Sequence, residues 1–182
     1  MAASLVDNNI LAVTPLDTFK MVGNIIKSGE LFPVLAASMG RIMLGLLWAV
    51  LAGVISGIIS YRINFFERLL KPLVLAVKSI PVASVVVLLL IWQGSGNLSV
   101  WISFLISFPI IYTNKLEGMK GTDKKLLEKA DIFEISLWNK ICYIYRPSVK
   151  GYITGGMKLA AGMCIKAGVA AEIIGLPDNS FG

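Results

Sequence analysis

The chain has 182 residues and a formal net charge of +6, and 56% of its residues are hydrophobic whereas 15% are charged. Soluble domains are typically about 45–50% apolar and about 25% charged, so this composition favours a protein that lies in a membrane. The positive charge does not indicate a nucleic-acid-binding protein, because membrane proteins keep Lys and Arg on their cytoplasmic side. The chain has no histidine. Cys142 and Cys164 form no CxxC pair, so we expect two reduced cysteines and no metal site.

The first thirty residues predict one helix outside the membrane. Residues 1–13 have neither the basic nor the apolar region of a signal peptide. From Thr14 to Gly29 the pattern is helical, with Thr14 as a cap, Pro15 in the first turn and Gly29 at the end. Because segment 14–29 is too polar to span a bilayer, we expect it to lie along the outer membrane surface.

Four apolar segments follow, and a spanning helix needs about 20 mostly apolar residues. We predict membrane-spanning helices at residues 34–60, 72–92, 98–112 and 152–174. Pro81 interrupts the second of them, and we interpret it as a kink rather than a gate. Gly53 and Gly57 form a GxxxG pair in the first, which permits close approach of a neighbouring helix.

Lys and Arg are distributed unequally between the connecting segments. Eleven of them lie in segments 61–71 and 114–150, whereas Lys20 and Lys27 are the two on the other side. Cytoplasmic loops carry an excess of basic residues. The pattern therefore places 61–71 and 114–150 in the cytoplasm and both ends of the chain outside.

Segment 114–150 is too long and too regular for a simple connection. Thr122 is predicted to cap a first helix and Ser136 a second, which Arg146 and Pro147 end. The first helix carries an apolar stripe of Leu126, Leu127, Ala130 and Phe133, and Trp138 lies in the second. Such a face fits a groove on another protein or the chain's own helices, and periodicity alone leaves both open.

The residues "GTDKKLLEKADIFEISLWNKICYIYRP" (121–147) resemble the EAA loop in the membrane subunits of binding-protein-dependent ABC importers. That signature reads Glu-Ala-Ala, three residues, Gly, nine residues, Ile-x-Leu-Pro. Glu128, Ala130, Ile144 and Pro147 occupy matching positions, whereas Glu134 replaces the glycine. Glycine at a turn between helices often supplies a left-handed conformation, so Glu134 leaves the turn geometry open. The blocks "KSIP", "WQGSGNLSV", "FPIIYTN" and "KAGVAAEIIGLP" are also similar to nitrate/sulfonate/taurine-type permeases.

The resemblance implies an all-α, polytopic permease (type I-like) with a cytoplasmic coupling-helix loop, in the plasma membrane of a prokaryote. Such a subunit is not an enzyme and needs no cofactor. Its implied partners are cytoplasmic ABC ATPase subunits, an extracytoplasmic substrate-binding protein, a second permease subunit and the lipid bilayer, but no nucleic acid. We favour a second copy in a homodimer, and a heterodimer stays open. The cargo would be a small anionic solute. The coupling residues would be Asp123, Leu126, Leu127, Glu128, Ala130, Phe133, Glu134, Trp138, Ile144 and Pro147.

Members of the resembled family normally carry further spanning helices at the ends. We therefore expect residues 1–182 to form a single transmembrane permease domain that is incomplete at one or both ends.

Two charges interrupt the last predicted span. Lys166 and Glu172 are six residues apart and face about 120° away from each other, so they are not an i,i+4 pair. At the bilayer centre each charge would cost about 2.5–3.5 kcal/mol. We favour a role for Glu172 in joining helices; for Lys166 a place in the solute path and a helix-joining role stay equally open. We expect Lys78 to lie at the membrane interface rather than in a pore.

Other function classes fit less well. An enzyme is disfavoured because the chain lacks histidine, a GxSxG motif and a GxxxxGK[ST] loop. An ion-coupled secondary transporter would place titratable groups at broken helices in mid-membrane, where Lys166 alone qualifies clearly. A structural membrane protein is the remaining alternative.

Overall fold

The computed structural model describes residues 31–176, so the surface helix predicted at 14–29 lies outside the described residues. The described part is helical and contains no strand, which confirms the all-α prediction. In chain order the helices are α1 (Leu31–Arg62), α2 (Asn64–Ser79), α3 (Val82–Gln93), α4 (Leu98–Lys120), α5 (Lys124–Ile132), α6 (Leu137–Lys140), a π-helical turn (Ile141–Tyr145) and α7 (Arg146–Gly175).

Helix α1 is the one described helix that is by itself long and apolar enough to cross a membrane. Helices α2 and α3 together also meet that criterion as one bent pair. The spans predicted at 98–112 and 152–174 lie within α4 and α7, which carry more polar and charged side chains. A multi-pass topology therefore stays a prediction.

The chain bends by 100° between α2 and α3. Pro81 precedes α3, and Ile80 before it is extended, with φ −78° and ψ 130°. Proline disfavours the helical conformation in the preceding residue, which explains why α2 stops at Ser79. The connection predicted at 61–71 is wrong as a loop, because α2 begins at Asn64 and its apolar and charged residues recur with a helical period.

Helix α4 packs against both α1 and α7, and small residues bring the three helices close together. A methyl group added at Gly53 of α1 would lie 2.9 Å from the Ile111 side chain of α4. One added at Gly168 of α7 would lie 2.6 Å from the Ile42 side chain of α1. These distances are shorter than carbon atoms tolerate, so glycine is required for this packing.

The helix ends around segment 114–150 differ in part from the prediction. Ser136 caps α6 as predicted, accepting a hydrogen bond from the Asn139 N–H. The cap of α5 is Asp123, which accepts from the Lys125 N–H, rather than Thr122, whose hydroxyl bonds back to Gly118. The predicted helix end at Arg146 and Pro147 is wrong, because the π-helical turn continues directly into α7. Proline is tolerated there since it lies in the first turn of α7.

Candidate functional site

The turn between α5 and α6 is a left-handed helix end. Glu134 has a φ of +49°. Its N–H donates to the Asp131 carbonyl at 3.1 Å, and the Ile135 N–H donates to the Ala130 carbonyl at 2.9 Å. This pair of hydrogen bonds is the Schellman arrangement, in which the left-handed position is usually glycine. The glutamate thus adopts the backbone conformation that a glycine would adopt at low cost.

Large apolar side chains surround this turn and face solvent in the described chain. Phe133 is 76% exposed and Trp138 is 72% exposed. Further exposed apolar residues of the same segment are Ile132, Leu137, Ile141 and Tyr143. We call these six residues the apolar tip. Large exposed apolar side chains grouped in this way are typical of an interaction site, and burial of the aromatic rings would contribute strongly to binding.

One contact lies within the loop, and a second connects the loop to α1. The Lys140 ammonium of α6 pairs with the Asp131 carboxylate of α5, which fixes the two short helices relative to each other. The Tyr145 hydroxyl lies 3.3 Å from the Tyr61 hydroxyl near the end of α1, and the rings meet edge to face. Burial, and then the hydrogen bond with Tyr61, raise the pKa of Tyr145 to about 12. The loop is therefore attached to α1 as well as to α7.

A buried ion pair joins the three long helices at their other end. Glu172 of α7 is completely buried, and its Oε1 accepts a hydrogen bond from Arg41 Nε of α1 at 3.1 Å. The same oxygen accepts from the Ser99 hydroxyl of α4 at 3.0 Å. Because every partner belongs to a different helix, the arrangement holds α1, α4 and α7 together. We call these three residues the helix clamp.

The clamp was partly foreseen. A helix-joining role was predicted for Glu172, and its described partners are the side chains of Arg41 and Ser99. Arg41 was not predicted as its partner, although a lone arginine in the apolar stretch 34–60 was the available signal. Lys166 is exposed and has no hydrogen bond or ion pair within the described residues. It therefore takes no part in the clamp.

Lys78 lies at the end of α2, directly before the bend. Its ammonium donates a hydrogen bond to the Thr113 hydroxyl of α4 at 3.0 Å. Pro81 lies three residues further on and forms the N-cap of α3. Both residues therefore belong to the broken connection between α2 and α3.

The sequence also matches a known family. Residues 31–179 match the family described as the binding-protein-dependent transport system inner membrane component. The chain belongs to this family. The match covers every described helix, from α1 to α7, and it confirms the relationship recognised from the EAA-like loop.

Individual relatives of this permease family are transport permeases. A candidate aliphatic sulfonates transport permease of Bacillus subtilis (strain 168) is 31% identical over 90% of this chain and 58% of its own length. The taurine transport system permease of Escherichia coli (strain K12) is 28% identical over 77% of this chain and 51% of its own length. A nitrate import permease of Synechococcus elongatus is 24% identical over 75% and 50%. The chain thus spans about half the length of the curated relatives it matches.

In this chain the predicted coupling residues fall into three groups. Asp123, Leu126, Leu127, Glu128 and Ala130 belong to the cap and body of α5, with Ala130 buried and Glu128 exposed. Phe133, Glu134 and Trp138 lie at the turn and in α6. Ile144 lies in the π-helical turn and Pro147 in the first turn of α7. The structure brings Phe133, Glu134 and Trp138 together at one turn. Ile144 and Pro147 lie further along, where the chain leads away from that turn into α7.

Proposed function

We propose that this permease is the transmembrane subunit of an ABC importer and forms the path for a small anionic solute. An extracytoplasmic binding protein delivers the solute, and a separate cytoplasmic ATPase supplies the energy. The observation that carries the proposal is the apolar tip, which coincides with the EAA-like signature in a chain of this family. The tip is the surface that docks in the ATPase.

The contacts of the loop support a coupling role. A groove on the ATPase would cover Phe133 and Trp138, and closure of two ATPase subunits would then displace the loop. The Asp131–Lys140 ion pair keeps α5 and α6 together, while Tyr145 bonds to Tyr61. A displacement of the loop is therefore passed to α1 and α7, and nucleotide can shift the equilibrium because the two ATPase states contact the loop differently.

The proposed topology follows the charge distribution. Segments 34–60, 72–92, 98–112 and 152–174 cross the plasma membrane, and 114–150 faces the cytoplasm, because basic residues concentrate there. The names of the three relatives refer to sulfonates, taurine and nitrate. Their shared acidic chemistry supports an anionic solute for this chain as well.

A second permease copy would complete the path. One side of α7 carries Gly151, Gly155 and Gly162, and a methyl group added at any of them would meet no described atom within 4 Å. Lys158 and Lys166 are exposed on the same side of this helix. Lipid would disfavour two lysines there, whereas a second copy enclosing an anion path would accommodate them. We therefore place Lys166 beside the path.

Co-purification with the ATPase tests the coupling role. The double variant Phe133→Ala/Trp138→Ala should lose at least about tenfold in affinity for the ATPase, because buried aromatic anchors dominate interface energies. Trp92→Ala is the matched control, since Trp92 is also strongly exposed but lies at the far end of α3. The control should retain the ATPase. Full retention by the double variant, or by a chain lacking 126–134, would contradict the proposal.

A further inference from the structure

Two cavities lie side by side along helices α2 and α4, and they share Lys78. The larger, about 420 Å³, lies at the bend between α2 and α3, and residues of α4 and α7 also line it. The smaller, about 250 Å³, lies between α2 and α4. Small-molecule sites usually measure about 300–1,000 Å³, so the larger cavity can hold a small solute.

The two cavities differ in chemistry. Among the described residues that line the larger one, Lys78 alone is charged, and the others are apolar, such as Val82, Ile106 and Met163. The smaller cavity is lined by Lys78 and by four more charged residues: Glu67, Lys71, Glu117 and Lys120. The ammonium of Lys78 therefore lies at the boundary between an apolar and a charged compartment.

A hydrogen bond positions this ammonium. Thr113, which lines the smaller cavity, accepts a hydrogen bond from Lys78 Nζ at 3.0 Å. Since an ammonium has three donors, two remain for other acceptors in the cavities. Lys78 is exposed in the described chain and forms no ion pair there. It can therefore pair with an anion without losing its bond to Thr113.

We propose that the permease carries its own solute-selecting site, in which Lys78 binds the acidic group and the apolar cavity holds a hydrocarbon group. This inference rests on the proposed import function and adds a site and a solute class to it. The fitting class is an organic anion with an alkyl chain, such as an alkylsulfonate. The charge complements Lys78, and the alkyl chain complements the apolar lining.

A passing solute fits the arrangement better than a lipid does. The two cavities meet at Lys78 on one face of the α2–α4 groove, so a solute that leaves the apolar side reaches the charged side without losing contact with the ammonium. The second compartment is lined by two carboxylates besides its lysines. Lys120 is paired with Glu67, and Glu117 offsets the charge of Lys71, so among the described lining residues Lys78 keeps an unbalanced positive charge for a solute anion.

Uptake into proteoliposomes that hold the complete complex, with its ATPase and binding protein, tests the site. The probes are radiolabelled hexanesulfonate and methanesulfonate. Lys78→Gln should lower the maximal uptake rate of both by at least about tenfold, because a charge-assisted hydrogen bond is lost. The concentration for half-maximal uptake should stay unchanged, since the binding protein sets it. Lys78→Arg should retain most of the rate.

Two further variants distinguish the effect of the Lys78 charge from the effect of the cavity's size. Val82→Phe narrows the apolar cavity and should slow hexanesulfonate more than methanesulfonate. Arg68→Gln removes a positive charge from the same helix at a position that lines neither cavity, so its uptake should match the unchanged protein. Each variant must first co-purify with the ATPase, which shows that it is folded.

Three outcomes would overturn the inference. If Lys78→Gln takes up both sulfonates as fast as Arg68→Gln does, Lys78 does not contribute to the solute path. If Lys78→Gln takes up both sulfonates at the unchanged rate but loses a phospholipid that co-purifies with the unchanged protein, the cavity is a lipid site. Failure of the unchanged complex to import either sulfonate, while the ATPase stays bound, would reject the solute class but leave the coupling role intact.

Discussion

Glu134 holds a backbone conformation that is costly for a residue with a side chain. Its φ of +49° places it in the left-handed region, where the Cβ approaches the following carbonyl. The two hydrogen bonds made by Glu134 and Ile135 offset part of that cost by satisfying the last carbonyls of α5. The turn between α5 and α6 is thus kept although its sequence departs from the family's glycine.

Replacing Glu134 with glycine should therefore stabilise the chain. We expect the free energy of unfolding in detergent to rise by about 1 kcal/mol, since the left-handed strain is removed. Glu128→Gly is the control, because Glu128 is an exposed glutamate inside α5. It should lower the free energy of unfolding by about 0.5–1 kcal/mol. Thermal unfolding of both purified variants measures the difference, and a destabilised Glu134→Gly would contradict the strain argument.

At the scale of helices, the clamp of Arg41, Ser99 and Glu172 supplies polar contacts where apolar side chains alone would hold helices together weakly in lipid. Lipid tails are as apolar as leucine, so helices associate through close packing and polar contacts. Glu172 is completely buried, whereas the Arg41 side chain is 20% exposed. Loss of Arg41 would therefore leave a buried charge, whereas loss of Glu172 would leave a partly exposed one.

This asymmetry predicts unequal effects of single substitutions. Arg41→Met leaves a buried carboxylate without its cation and should cost about 3–5 kcal/mol of unfolding free energy. Glu172→Met should cost less, because Arg41 keeps access to solvent. The double variant should be more stable than the sum of the single effects by about 0.5–3 kcal/mol. Lys166→Met, on an exposed side chain, should stay within about 0.5 kcal/mol. Chemical unfolding of the four variants checks this, and additive effects would show that the pair is not coupled.

The helices themselves were largely predictable, because apolar runs and breaker residues act locally. The apolar stretch at 34–60, the break at Pro81 and the cap at Ser136 all follow from residues near in sequence. The pairing of Arg41 with Glu172 could not be derived this way, since 131 residues separate the two. Packing over the whole chain decides which helix faces meet, so a local sequence pattern does not predict such a pair.

The end of the loop shows a second limit. Pro147 suggested a helix end, but proline is equally compatible with the first turn of a new helix. The π-helical turn before it lets the chain pass from α6 into α7 without an interruption. The recognition of the family from the signature succeeded for a different reason. It depended on the spacing of several separate blocks, which survives even where single residues such as Glu134 differ.

At the scale of the whole molecule, a coupling role requires the apolar tip to face the cytoplasm. The chain carries its own reporter, because Cys142 is partly exposed next to the tip whereas Cys164 is buried. If the tip is cytoplasmic, a thiol reagent that cannot cross membranes will reach Cys142 from that side alone. A bound ATPase should also slow the reaction, since it would cover the neighbouring Ile141 and Tyr143.

The most direct measurement is therefore the labelling of Cys142 by a membrane-impermeant maleimide in intact cells and in inside-out vesicles. We predict labelling in the vesicles but not in the cells, and slower labelling when the ATPase is bound. Labelling of Cys142 in intact cells would place the tip outside the cell. That result would contradict the claim that this loop connects the permease to a cytoplasmic ATPase.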